Sequence, residues 1–217
     1  MTKIKSLIFD LDGTLINTAP DLMNALNFVL KENNLKEIES KYIGNLVGFG
    51  ALNMIKKGFS FYGKFPNECE LIGHTKKFLY HYEKNSSKYS YLYPGVKKTL
   101  YILSKRNIIL NVCTNKNQFL ANKVLKELKI KNYFKIILGS SNSLKLKPDT
   151  EMISFIMKKL RLHKNETIMV GDSINDIHPA KVLNIRSFFV TYGFGENFES
   201  NTKTKITRFN QILKHIN

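Results

Sequence analysis

At 217 residues and 43% hydrophobic composition, the chain exceeds the commonest domain size and can bury one core plus an insertion. It has no run of about 18 apolar residues, which excludes a membrane-spanning helix. Its two cysteines, Cys69 and Cys113, exclude a disulfide framework or a thiolate metal site. Together with an N-terminus that lacks the features of a signal peptide, this leads us to expect a cytoplasmic protein.

Five short apolar runs rich in Ile, Val, Leu and Phe read as buried strands, at Ser6–Asp10, Ile108–Thr114, Phe134–Gly139, Thr167–Asp172 and Arg186–Thr191. Between the first and second lies a stretch far longer than a simple crossover needs. Its apolar residues recur at helical spacing, with Leu22, Leu26, Val29 and Leu30 in one group and Leu71, Phe78, Leu79 and Tyr82 in another. Residues 17–88 are therefore expected to form a helical cap, inserted into a core made of 1–16 and 89–217. Pro94-Gly95 returns the chain to the core. Helical segments are then expected at Gly95–Arg106, Asn117–Leu128, Asp149–Leu162 and Asn175–Leu183, with a terminal helix over Arg208–Asn217. Alternation of this kind predicts an α/β fold, a doubly wound parallel sheet with helices on both faces.

The polar residues at the ends of these strands carry the chemistry. Strand one delivers Asp10 and Asp12 into the turn Asp10-Leu11-Asp12-Gly13-Thr14. In open parallel sheets, ligands bind beyond the carboxyl ends of the strands. By itself the pair reads equally well as an Asp-Gly turn. Strand two ends at Thr114-Asn115, offering a hydroxyl and turn amides to an anion. Lys147-Pro148 follows strand three, and Gly171-Asp172-Ser173 with Asp176 ends strand four. Asp172 alone is explicable as a helix cap and Asp176 as a first-turn charge. Four strands releasing polar groups at one sheet edge favour a functional site.

In order and spacing, Asp10-Leu11-Asp12-Gly13-Thr14, Thr114, Lys147-Pro148 and Gly171-Asp172-Ser173-Ile174-Asn175-Asp176 resemble the four motifs of the haloacid dehalogenase-like superfamily. More narrowly, Thr18-Ala19-Pro20-Asp21-Leu22, Val47-Gly48-Phe49-Gly50, Tyr93-Pro94-Gly95-Val96 and Thr191-Tyr192-Gly193-Phe194-Gly195 resemble phosphoglycolate phosphatases. Asn17-Thr18 and His178-Pro179 depart from the usual pattern without replacing a catalytic group.

The resemblance implies hydrolysis of a phosphate monoester, with 2-phosphoglycolate the expected substrate. It makes Asp10 the nucleophile that forms an aspartyl-phosphate, and Asp12 the general acid and base. A phosphate ester repels an anionic nucleophile, so a cation is needed. Oxygen ligands without a Cys/His cluster point to Mg2+, held by Asp10, Asp172 and the Asp12 main-chain carbonyl. Thr114, the Asn115 amide and Lys147 are expected to bind the phosphoryl oxygens, with Asp176 supporting them. Gly48 and Gly50 are expected to form a substrate-facing turn of the cap.

A pyrophosphatase, a nucleotidase or a sugar-phosphate mutase of the same superfamily remains open. So does a catalytically silent nucleic-acid binder, given a net charge of +17. The lysines are spread along the chain without an Arg-rich tract, so the expected partner is a small anionic phosphorylated metabolite, attracted by a diffuse positive field. Cys113 reads as a core residue, and His74 and His81 as helix-packing residues rather than metal ligands.

Overall fold

The computed structural model describes residues 3–141, 143–195 and 204–216. Its main sheet has six strands: β1 (Ser6–Phe9), β4 (Ile109–Asn117), β5 (Phe134–Ser140), β6 (Thr167–Gly171), β7 (Arg186–Val190) and β8 (Lys205–Ile206). They lie in the order β5-β4-β1-β6-β7-β8, and every neighbouring pair is parallel. The chain therefore builds outward from β1 on one side, then crosses to β6 and builds outward on the other. This leaves a crevice at the carboxyl ends of β1 and β6, where the strand order reverses.

Parallel strands are covered on both faces, which is why they read as continuous apolar runs. Leu7 and Phe9 of β1, Leu110 and Val112 of β4, and Ile168 and Val170 of β6 turn into the larger core. There they meet α5 (Val96–Lys105) and α6 (Gln118–Glu127). Ile8, Cys113 and Met169 face the opposite way, against α7 (Glu151–Leu160) and α8 (Ile174–Val182). The alternation follows the two-residue period of a strand. The expected doubly wound architecture is observed.

Between β1 and α5 the chain forms α1 (Ala19–Glu32), the short α2 (Ile43–Leu46), α3 (Ala51–Ser60) and α4 (Glu68–Asn85). Leu22, Leu26, Val29 and Leu30 of α1 pack with Met54, Ile55 and Phe59 of α3 and with Phe78 and Tyr82 of α4. Leu71 and Leu79 are partly buried against the same cluster. A reciprocal capping box between Asn67 and Glu70 starts α4.

Two short strands flank these helices. β2 (Ile16–Asn17) and β3 (Tyr91–Leu92) pair antiparallel, so the chain enters and leaves the helical layer side by side. Asp21, buried at the start of α1, reinforces the crossing. Its carboxylate accepts bonds from the Tyr89 and Ser90 amides and, at 2.6 Å, from the Ser90 hydroxyl.

The structure differs from expectation in three further places. The expected terminal helix is of the 3-10 kind and shorter, Phe209–Lys214, and Asn217 lies outside the described residues. Phe209 and Ile212, three residues apart, share one face in that geometry and both are buried. β4 runs on to Asn117 through a register irregularity beyond Cys113. β8 adds a sixth strand too short to carry a pattern.

Asp21→Ala is expected to strip a charged acceptor from the buried Ser90 amide and hydroxyl and from the Tyr89 amide. The unfolding free energy should fall by about 3 kcal/mol, read as a lower urea midpoint.

Candidate active site

Each expected acid leaves the sheet at the crevice. Asp10 follows β1, and its amide donates to the Val170 carbonyl of β6 at 2.9 Å, which ties the two strand ends together. Asp172 follows β6. The cap of α8 is Ser173 rather than Asp172, with the Ser173 hydroxyl donating to Asp176 Oδ2 at 3.0 Å. This capping box fixes Asp176 one turn into the helix with its other oxygen turned to the crevice.

Lys147 links the acids. Its ammonium donates to Asp10 Oδ1 at 2.7 Å, to Asp176 Oδ1 at 2.6 Å and to the Cys113 carbonyl at 2.6 Å. Asn115 holds the Lys147 backbone in place by accepting from its amide at 2.9 Å and donating to its carbonyl at 2.7 Å. The Asn115 side chain is thus committed to this loop and to the Gly48 carbonyl. The Thr114 hydroxyl oxygen accepts from the Lys116 amide at 3.2 Å, and Thr114 lines the cavity.

Asp10, Asp172 and Asp176 each place a carboxylate oxygen within 4.8 Å of the others. Burial pushes the Asp10 carboxyl well above the ordinary range; Lys147 pulls it back, and Asp176 and Asp172 raise it again. Burial likewise drives Asp172 up to about 7, Asp176 adds to that, and the Phe194 and Gly195 amides oppose it. Burial works against the charge on Lys147, but Asp10 and Asp176 reverse this and hold it above the lysine range. Three crowded carboxylates around one ammonium leave excess negative charge, and all the donors are hard oxygens. Such a set fits a divalent cation of the magnesium or calcium type. Cys113, with its thiol pushed up to about 12 by burial, offers no competing thiolate.

Several contributors escaped the sequence reading. Lys116 donates to both Asp12 oxygens, at 3.0 and 3.2 Å, and Thr18 Oγ1 donates to Asp12 Oδ1 at 2.7 Å. In a chain with 34 lysines and arginines, a lysine after Thr114-Asn115 carries no distinguishing signal. The Phe194 and Gly195 amides donate to Asp172 Oδ2 at 2.7 and 3.1 Å. A side chain on Gly195 would strike the Asp172 carbonyl, so glycine is required for that approach.

Above the acids lies a cavity of about 490 Å³. Its floor includes Asp10, Asp12 and Thr114, and its roof Val47, Phe49, Met54 and Phe78. Gly48 and Gly50 also line it, with φ of +103° and +83°. The turn meets the core through the Gly48 carbonyl, which accepts from Asn115 at 2.8 Å and Asn175 at 3.0 Å. Lys57 lines the cavity, whereas Lys56 is exposed. His74 and His81 stack on Phe59 and Phe28 and lie outside this cavity. No helix among the described residues is long and apolar enough to cross a membrane.

Residues 7–190 match the haloacid dehalogenase-like hydrolase family. The chain is 37% identical over 187 residues to a phosphoglycolate phosphatase of Agrobacterium fabrum, covering 86% of this chain and 80% of that one. It is 32% identical over 219 residues to a phosphoglycolate phosphatase of Haemophilus influenzae, covering 98% of each. Among solved structures, that of a predicted phosphoglycolate phosphatase from Haemophilus somnus superposes with a TM-score of 0.93, at 31% identity and 99% coverage of both chains.

Two variants test the electrostatics. Gly195→Ala is expected to displace Asp172 and weaken divalent-cation binding by about 10- to 100-fold, measured by calorimetry on folded protein. In chelated protein, Asp172→Asn removes a carboxylate that ionises at about 7 when folded, against 3.8 ordinarily. The native state pays for that ionisation only at higher pH. The variant should therefore be more stable than wild type at pH values above about 7, with the gain shrinking as pH falls towards about 4. Denaturation midpoints across pH check this.

Proposed function

Because the chain belongs to the haloacid dehalogenase-like hydrolase family, we propose that it is a phosphatase acting on small phosphate monoesters through an aspartyl-phosphate on Asp10, with 2-phosphoglycolate as preferred substrate. The observation that carries this reading is Asp10 itself. It is a buried carboxylate at the strand-order reversal, held at one oxygen by Lys147 and opening on a cavity of about 490 Å³.

With Oδ1 bonded to Lys147, the second Asp10 oxygen is available to attack phosphorus in line with the leaving alcohol. Asp12, two residues on, donates a proton to the departing oxygen and afterwards takes one from the water that cleaves the aspartyl-phosphate. Thr18 and Lys116 fix its orientation from two sides. The Thr114 hydroxyl and the Asn115 amide face the transferring oxygens. Lys147 contributes fixed positive charge, since its three donors are already engaged. We assign the cation to Mg2+, held by Asp10, Asp172 and the Asp12 carbonyl with Asp176 in support; when bound, it supplies the charge that screens the phosphoryl oxygens from the nucleophile.

The 17–88 segment acts in this reading as a cap that shields the intermediate from bulk water and selects the leaving group. The named activity of the relatives supports a compact substrate over a nucleotide. The +17 charge then serves to attract small anions, without sequence-specific nucleic-acid binding. Free thiols, buried at Cys113 and exposed at Cys69, suit the reducing cytoplasm.

Purified wild type is expected to hydrolyse 2-phosphoglycolate with a higher kcat/KM than pyrophosphate, nucleotides or hexose phosphates. Chelation should abolish turnover and Mg2+ restore it. Asp10→Asn should keep the fold and lose at least about 10⁴-fold in kcat. A clear preference for pyrophosphate or a nucleotide would retain the phosphatase and discard the substrate. Substantial turnover by Asp10→Asn would discard Asp10 as nucleophile.

A further inference from the structure

Two lysines are buried at this sheet edge, and they are bonded differently. An ammonium carries three N–H donors. Those of Lys147 are matched by three acceptors on three different residues. Lys116 is as deeply placed, with 4% of its side chain exposed. Its ammonium nevertheless makes well-formed hydrogen bonds to the two oxygens of a single carboxylate, Asp12, and to no other acceptor among the described residues, the nearby Tyr82 hydroxyl lying outside hydrogen-bond geometry. On another side lies the Tyr82 ring of α4, whose centroid is 4.4 Å from the ammonium. A ring face steadies a cation without using up an N–H. The Tyr82 hydroxyl is itself buried with no hydrogen-bond partner among the described residues.

Burying a lysine is costly, and one shared carboxylate satisfies it incompletely. Lys116 therefore has donor capacity to spare, and it lines the cavity beside the general acid. The leaving oxygen of a substrate has to lie within hydrogen-bonding reach of Asp12. In 2-phosphoglycolate the carboxylate begins two covalent bonds beyond that oxygen, which brings it alongside the ammonium that holds Asp12. The other cavity cation outside the acid cluster, Lys57, is less suited. It donates to the Asn45 carbonyl at 2.7 Å, lies over the Phe49 ring and is partly open to solvent.

We propose that Lys116 is a specificity-determining residue of this site, acting alongside the cap and binding the carboxylate that a preferred substrate carries next to its phosphate-ester carbon, with Tyr82 backing the ammonium from the helical layer. The proposal rests on the phosphatase reading above. It adds that a second anionic group is recognised from the core, at the end of β4, and by the same lysine that orients the general acid.

The test compares 2-phosphoglycolate with ethyl phosphate, in which a methyl group replaces the carboxylate. The readout is the ratio of the two kcat/KM values. Lys116→Met is expected to lower that ratio by about 10- to 100-fold, whatever it does to turnover of either ester alone. Lys57→Met should leave the ratio close to that of wild type. Calorimetry on Mg2+-loaded Asp10→Asn protein gives a second reading without turnover. There the preference for 2-phosphoglycolate over ethyl phosphate should vanish when Lys116→Gln is added. If Lys116→Met slows both esters by the same factor, or if the preference is lost with Lys57→Met instead, Lys116 only positions Asp12 and the proposal is overturned. If wild type hydrolyses neither ester, the phosphatase reading fails. Calorimetry then decides the proposal separately: carboxylate preference that survives Lys116→Gln overturns it, and preference that disappears supports it.

Discussion

The site depends on one ammonium. Asp10, Asp172 and Asp176 crowd together beneath the sheet edge, and burial alone would drive protons onto Asp10 and Asp172. Lys147 bridges Asp10 and Asp176 and donates its third bond to the Cys113 carbonyl of β4, so the charge is anchored to the sheet itself. Removing one partner from a buried pair costs far more than the pair contributes, because the survivor is left charged and unsolvated. The surrounding architecture serves this constraint. Asn115 zips the Lys147 backbone to the end of β4, and the Ser173 cap holds Asp176 in place.

A second layer of contacts fixes Asp172. The loop after β7 turns its Phe194 and Gly195 amides onto one carboxylate oxygen, while the Tyr192 hydroxyl reaches the Thr14 carbonyl at 3.0 Å. These bonds favour the ionised carboxylate and partly counter its desolvation. The geometry leaves no room for side chains, since a Cβ on Gly193 or Gly195 would strike Asp172. The glycine string of this loop is thus explained by the carboxylate it surrounds.

The parallel strands were legible in the sequence because burial on both faces makes them uninterrupted apolar runs, as in Ser6–Phe9 and Thr167–Gly171. The acids were legible because strand ends in such sheets converge. What escaped has a common cause: its signal is local neither in composition nor in period. β2, β3 and β8 have two residues each. The Phe194 and Gly195 contacts are made by backbone amides, which no side chain announces. Lys116 is one lysine among many until the fold turns it back onto Asp12. The terminal helix was expected, but its 3-10 pitch has no separate signal, because Phe209 and Ile212, three residues apart, suit either kind of helix.

The paired strands β2 and β3 make the helical layer a detour that starts and finishes at the same place. To the sheet, it is equivalent to a tight hairpin loop. Its length is almost without thermodynamic consequence for the core, because the entropy of closing a loop grows only with the logarithm of its length. Evolution can then lengthen, trim or replace everything between Asn17 and Tyr91 while Asp10 and Asp12, just upstream, keep their places. Such a junction is a splice point, and it lets one set of strand-end residues be paired with many different helical layers.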